Sequence, residues 1–208
     1  MDFVAIDFEN ANELSISACE LGIAVVRNYK VVETKSVLIR PPDLRFNPYN
    51  TRLHGIFWTD VIDQPDFRTL WPQLLPYFKN RLIIAHNAHF DLHVMRSLLL
   101  HYDISFEEIQ FTCSIKVAGK VWKDFDRYGL KTLTRLLGIE LLHHRAESDA
   151  KACAIIASMA FRENQISITE EITSKLNIHL GSISPEKFIP TSNKTLHVKK
   201  RRVYSYQE

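Results

Sequence analysis

The chain has 208 residues, 46% hydrophobic and 24% charged, a balance that fits one globular domain with a real core and excludes disorder of the whole. A formal net charge of +2 and a pI near 8.4 admit a nucleic-acid partner without demanding one. Three scattered cysteines, Cys19, Cys113 and Cys153, speak against a disulfide framework or a structural zinc site, and the acidic start "MDFVAIDFEN" with no long apolar run speaks against a signal peptide or membrane span, so a cytoplasmic protein is expected.

In chain order, "FVAID" reads as a strand, and "LGIAVVRNYKVVETKSVLI" holds two more around a polar turn at Arg27 to Lys30, giving an antiparallel meander. "PPDLRFNPYN" breaks regularity, and "DFRTLWPQLLPYF" has partly helical spacing interrupted by Pro72 and Pro76. "RLIIAH" is a fourth strand leading into a helix from His89 to Tyr102. "FTCSIKVAGKVW" reads as a fifth strand running into a helix, "LKTLTRLLGI" as a helix ended by Gly138, and Ala146 to Arg162 as the last long helix. The pattern predicts an α/β domain over residues 1–163, with a five-stranded mixed sheet flanked by helices. Residues 164–208 are expected to be a short appendage with one helix near Thr169 to Leu176 and a basic end, Lys199 to Arg202. That end reads either as a solvated tail or as a weak phosphate contact.

Periodicity then singles out four carboxylates. In the last long helix the apolar stripe is Ala152, Cys153, Ile156, Met159 and Ala160, and Asp149 leads it at three- and four-residue spacing. Asp91 leads the stripe Val94, Met95, Leu98 and Tyr102 in the same way. Either aspartate alone is explained by the helix dipole, worth about 0.3 to 1 kcal/mol. Asp7 and Glu9 add a third site, two apart on the first strand and so on one face, with Cα atoms roughly 6.6 Å apart. Four such carboxylates repel unless a cation sits among them. All-oxygen ligands select Mg²⁺ or Mn²⁺ over zinc. Two such ions about 3.5 to 4 Å apart activate water for attack on phosphorus, so metal-dependent phosphodiester hydrolysis is the first hypothesis.

Of the histidines, His89 and His93 are spaced as in zinc proteases. Each lies about 200° round the helix from Asp91, however, and "HFDLH" lacks the glutamate that H-E-x-x-H chemistry requires. A histidine that takes a proton from the attacking water belongs beside the carboxylates. His144, five residues before Asp149, and its neighbour His143 both qualify, and spacing does not choose between them.

Together these pieces resemble the DEDDh group of 3′–5′ exonucleases, which includes the epsilon proofreading subunit of bacterial DNA polymerase III and RNase T. "VAIDFEN" resembles the first motif, D-x-E, at Asp7 and Glu9. "AHNAHFD" resembles the second, N-x-x-F-D, at Asn87, Phe90 and Asp91. "HRAESD" resembles the third, H-x-A-x-x-D, at His144 and Asp149. "RLHGI", around His54, resembles the segment that approaches the substrate 3′ end. Asn10 is a departure, because the epsilon-like motif continues D-x-E-T.

The resemblance implies a ribonuclease-H-like fold in which Asp7, Glu9, Asp91 and Asp149 hold two Mg²⁺ or Mn²⁺ ions and His144 is the general base. Asn10, His54, Asn87 and Phe90 are the implied substrate contacts, and the implied products are nucleoside 5′-monophosphates released from a 3′ end. Single-stranded or 3′-frayed DNA is favoured over RNA as substrate, and association with a polymerase or with a second copy stays open. The competing reading is a nuclease-like module that binds nucleic acid or docks on a polymerase without cutting.

Overall fold

The computed structural model describes residues 1–193. β1 (Phe3–Asn10) sends Val4 and Ile6 into one core cluster and Phe3 and Ala5 into another. A period-two strand buried on both faces belongs in the middle of a three-layer fold. β2 (Ala18–Arg27) and β3 (Lys30–Leu38) follow as the expected antiparallel meander. Asn28 and Tyr29 turn it with positive φ at both positions, as a type I′ hairpin requires. β4 (Ile83–Ala85) pairs parallel with β1, and β5 (Ile109–Cys113) pairs parallel with β4.

Five strands were expected, and among the described residues the sheet has seven. β6 (Gly181–Ile183) adds antiparallel to β5 and β7 (Phe188–Ile189) to β6, giving the order β3-β2-β1-β4-β5-β6-β7. Strands of three and two residues carry no alternation long enough to read. Both lie in the stretch expected as an appendage, where Ile166, Ile172, Leu176 and Ile178 are also buried in the core. The basic run Lys199 to Arg202 lies outside the described residues.

Two short helices not expected from the sequence follow, α1 (Pro48–His54), which starts at the end of the proline-rich stretch, and α2 (Trp58–Val61) beyond it. Asn47 caps α1 by accepting the Tyr49 N–H, with Pro48 at the first helical position. α3 (Phe67–Phe78) runs unbroken through Pro72 and Pro76, contrary to the expected interruption. Each interior proline costs about 3 kcal/mol. The buried stripe Phe67, Leu70, Trp71, Leu74 and Phe78 offsets that cost, with Trp71 stacked on Phe78 at 5.6 Å. The remaining helices are α4 (His89–His101), α5 (Ser114–Val121), α6 (Leu130–Leu137, ended by left-handed Gly138), α7 (Ala146–Glu163) and α8 (Glu170–Leu176).

The α3 and α4 stripes cover one face of the sheet, where Leu92, Met95 and Leu98 join Val4 and Ile6. α7 covers the other, and its alanines 150, 154, 157 and 160 bring the helix close to Ala5 and Ala24. Phe161 anchors it edge-on against Phe3, ring centroids 5.8 Å apart, and burial of such a ring contributes about 1.5 to 3 kcal/mol. No helix among the described residues is long and apolar enough to cross a membrane.

Candidate active site

The parallel pair β1 and β4 ends at one edge of the sheet, and in α/β folds such carboxyl ends are where ligands are held. Asp7 and Glu9 project there from β1. β4 gives way to α4 through Asn87, whose φ of +67° turns the chain sharply and places Asp91 in the first helical turn, 2% exposed. The β1–β4 pairing stops at Ile6↔Ala85, and the Phe8 N–H beyond it donates to Asp91 Oδ1 at 2.9 Å. The aspartate thereby satisfies a buried backbone donor and locks α4 to β1.

Asp149 arrives from the other face, in the first turn of α7 and 4% exposed. Its Oδ2 accepts the His144 N–H at 3.1 Å, and His143 Nδ1 stands 3.2 Å from the same oxygen. Asp7, Glu9 and Asp149 present oxygens that all lie within 4.8 Å of one another. Asp91 is outside this trio, yet close enough that its charge acts on Asp7.

Burial first, then mutual repulsion, pushes Asp7 well above the usual carboxylate range. Burial with repulsion from Asp149 and Glu20 raises Glu9 to about 8. Burial also raises Asp91, to about 7, and Asp149. Four desolvated carboxylates with no lysine or arginine bonded to them among the described residues call for cations, and an all-oxygen donor set fits Mg²⁺ or Mn²⁺. His144 is half-buried, and burial together with His143 lowers its pKa, which keeps the ring neutral and able to accept a proton.

A cleft of about 380 Å³ joins these carboxylates and both histidines with Asn87 and Phe90. Phe90 is 43% exposed, so its ring is open to a ligand. Asn10 and His54 are placed differently. They are 7% and 3% exposed and do not line the cleft. His54 Nε2 faces the Asn10 carbonyl at 3.3 Å, while its Nδ1 accepts the Ile56 N–H at 3.0 Å. The pair fixes α1 against the end of β1.

Three residues of the site carried no role in the sequence reading. Gly22, opposite Asp7 in the β1–β2 register, leaves room for the backbone of Ala146 at the start of α7. Glu20, opposite Glu9, accepts the Ala146 N–H at 3.3 Å and the Ser36 hydroxyl. Register opposite Asp7 and Glu9 is the signal for both, and it takes meaning only with the contact each makes to the start of α7. His86 lines the cleft with Nδ1 2.8 Å from Ser114 Oγ, and burial lowers its pKa to about 4.

A mixed sheet that gathers acidic residues from one strand and two helices at its edge, with a neutral histidine beside them, defines an α/β domain of the ribonuclease-H-like class. Residues 4–157 match the Exonuclease (RNase T) family, and the chain belongs to that family. The PolC-type DNA polymerase III of Caldanaerobacter subterraneus is 30% identical over 181 residues, which cover 84% of this chain and 13% of that protein. The 3′-5′ exonuclease DinG of Staphylococcus aureus is 24% identical over 77% of this chain and 18% of its own length. The chain thus spans less than a fifth of these curated relatives. Among solved structures, exonuclease X in complex with 5′ overhanging duplex DNA superposes with a TM-score of 0.66 at 22% identity, covering 84% of this chain and 96% of that one. The nuclease domain of 3′hExo, a DEDDh family member bound to rAMP, gives 0.68 at 15% identity, covering 78% and 92%. These likenesses establish the fold.

Proposed function

We propose that the chain is a metal-dependent 3′–5′ exonuclease that hydrolyses the terminal phosphodiester of a nucleic-acid strand and releases nucleoside 5′-monophosphates. The observation that carries the reading is the convergence of Asp7, Glu9 and Asp149 oxygens within 4.8 Å, with His144 on the same loop-to-helix turn.

Asp7, Glu9, Asp91 and Asp149 hold two divalent ions, Mg²⁺ or Mn²⁺. When bound, such ions supply water activation and charge stabilisation at the leaving oxygen. His144, neutral at physiological pH, takes the proton of the attacking water. Phe90 and Asn87 receive the terminal nucleotide at the mouth of the cleft, the ring by stacking. Asn10 and His54 act on the substrate indirectly, by fixing the strand end that carries Glu9. DNA is the favoured substrate, in keeping with the DNA-bound neighbour and the polymerase and exonuclease relatives. The PolC-type relative also supports a role beside a polymerase, and a cytoplasmic location belongs to the same reading.

The test is a gel time course on 5′-labelled single-stranded DNA and RNA of one sequence, with Mg²⁺ and with chelator, and chromatography of the products. A metal-dependent ladder that shortens from the 3′ end, with 5′-monophosphates released, is expected. Binding without cleavage of either strand would overturn the reading in favour of a nuclease-like binding module.

A further inference from the structure

We propose that His143, His144 and Asp149 form a second, nitrogen-rich metal site for a divalent transition ion of the Zn²⁺ class, whose occupancy withdraws His144 and Asp149 from the carboxylate centre. The inhibitory consequence rests on the exonuclease reading; the binding does not.

In extended backbone, consecutive side chains point to opposite sides. His144 has a φ of +64°, a left-handed conformation that costs a non-glycine residue about 1 to 2 kcal/mol. With this turn the two imidazoles lie on the same side, stacked with centroids 3.9 Å apart and planes inclined by 20°. The His144 N–H bond to Asp149 Oδ2 holds the turn and His143 Nδ1 reaches the same carboxylate, but neither contact engages the His144 ring.

His143 Nδ1 lies 3.2 and 3.4 Å from the two Asp149 oxygens. In a tetrahedral site with bonds of about 2.0 to 2.1 Å, neighbouring ligand atoms are about 3.3 Å apart. That pair already stands at the edge length of such a site. Ligand atoms of His143, His144 and Asp149 all fall within 4.8 Å of one another; the stacked rings aim their in-plane nitrogens side by side, so joint ligation requires the His144 ring to turn toward His143 and Asp149. The His143 side chain is 36% exposed, which gives an ion a path in without disturbing the core.

Donor chemistry separates this site from its neighbour. Two imidazoles and one carboxylate suit Zn²⁺, Co²⁺ or Ni²⁺, whereas Mg²⁺ favours oxygen ligands in octahedral geometry. Asp149 belongs to both groups, so an ion held by the histidines engages a carboxylate of the oxygen-ligand centre and occupies the ring assigned as general base.

The test compares wild type with His143→Gln, using Co²⁺ absorption without nucleic acid and Zn²⁺ inhibition at fixed Mg²⁺, each rate normalised to that protein's own Mg²⁺ activity. Wild type is expected to show a visible Co²⁺ band that Zn²⁺ displaces and millimolar Mg²⁺ does not, and that the variant lacks. The variant should also need at least about tenfold more Zn²⁺ for half-inhibition. Equal Zn²⁺ sensitivity, or a Co²⁺ band unchanged by the substitution, would show that His143 does not ligate the ion and overturn the proposal. A wild-type chain that binds Co²⁺ through His143 but hydrolyses nothing would leave this site standing and remove the exonuclease reading instead.

Discussion

Gly22 of β2 lies directly against the backbone of Ala146, the residue that opens α7, and a Cβ at position 22 would collide with the Ala146 carbonyl. Gly22 is also the cross-strand partner of Asp7, so this contact sets the distance between the strand carboxylates and Asp149 three residues into the helix. Gly22→Ala must push the start of α7 away. A stability loss of about 1 to 3 kcal/mol is expected from overpacking, with a fall in hydrolysis rate larger than the fall in melting temperature alone explains. Melting curves and initial rates on the same preparation check this, and a variant with wild-type rate would show that α7 needs no such close approach.

Glu20 is expected to steady the same helix. Its carboxylate accepts the first N–H of α7, a capping interaction worth about 0.5 to 2 kcal/mol. Glu20→Ala should lower both stability and Mg²⁺ affinity, and Glu20→Gln, which keeps an acceptor oxygen, should recover most of the loss. Titration calorimetry with Mg²⁺ on the two variants separates them.

The raised carboxylates make stability depend on pH in a definite direction. Glu9 and Asp91 titrate near 8 and 7 in the folded chain, above their values of about 4 in the unfolded one. The native state therefore holds protons that the unfolded state has lost, and metal-free stability falls as pH rises from about 4 to 8. In chelator, the melting temperature should drop between pH 5 and 8, and the gain on adding Mg²⁺ should grow over the same range. Asp7→Ala should melt higher than wild type at pH 8 in chelator, because it removes one of the repelling charges, while abolishing hydrolysis. A melting temperature that rises with pH in chelator would contradict the assigned repulsion.

His144→Ala should slow hydrolysis by about 10² to 10⁴, the usual worth of a general base, without loss of Mg²⁺ binding. Single-turnover rates with saturating metal are the check, and an unchanged rate would transfer the role to His143 or to no histidine.

Much of this site was legible in the sequence because helices report their buried face. Asp91 and Asp149 stand in register with apolar stripes, and both are buried. β1 revealed Asp7 and Glu9 through its two-residue period. What escaped depends on partners distant in sequence. Gly22 and Glu20 matter only through register with β1 and contact with α7. β6 and β7 are too short to show alternation, and α3 keeps its prolines because Trp71 and Phe78 stack behind them. Resemblance implies His54 as a substrate contact, and its buried ring faces the Asn10 carbonyl and the Ile56 N–H.

The most direct test of the account is the rate of 3′-nucleotide release from single-stranded DNA at saturating Mg²⁺, measured for wild type beside Asp91→Asn. Asparagine keeps an oxygen to accept the Phe8 N–H, so the fold is retained while one carboxylate charge is lost. Wild type is expected to shorten the strand stepwise from the 3′ end and the variant to lose about a thousandfold in rate, about 4 kcal/mol of transition-state stabilisation. Equal rates in the two proteins, or cleavage at internal positions, would contradict the account.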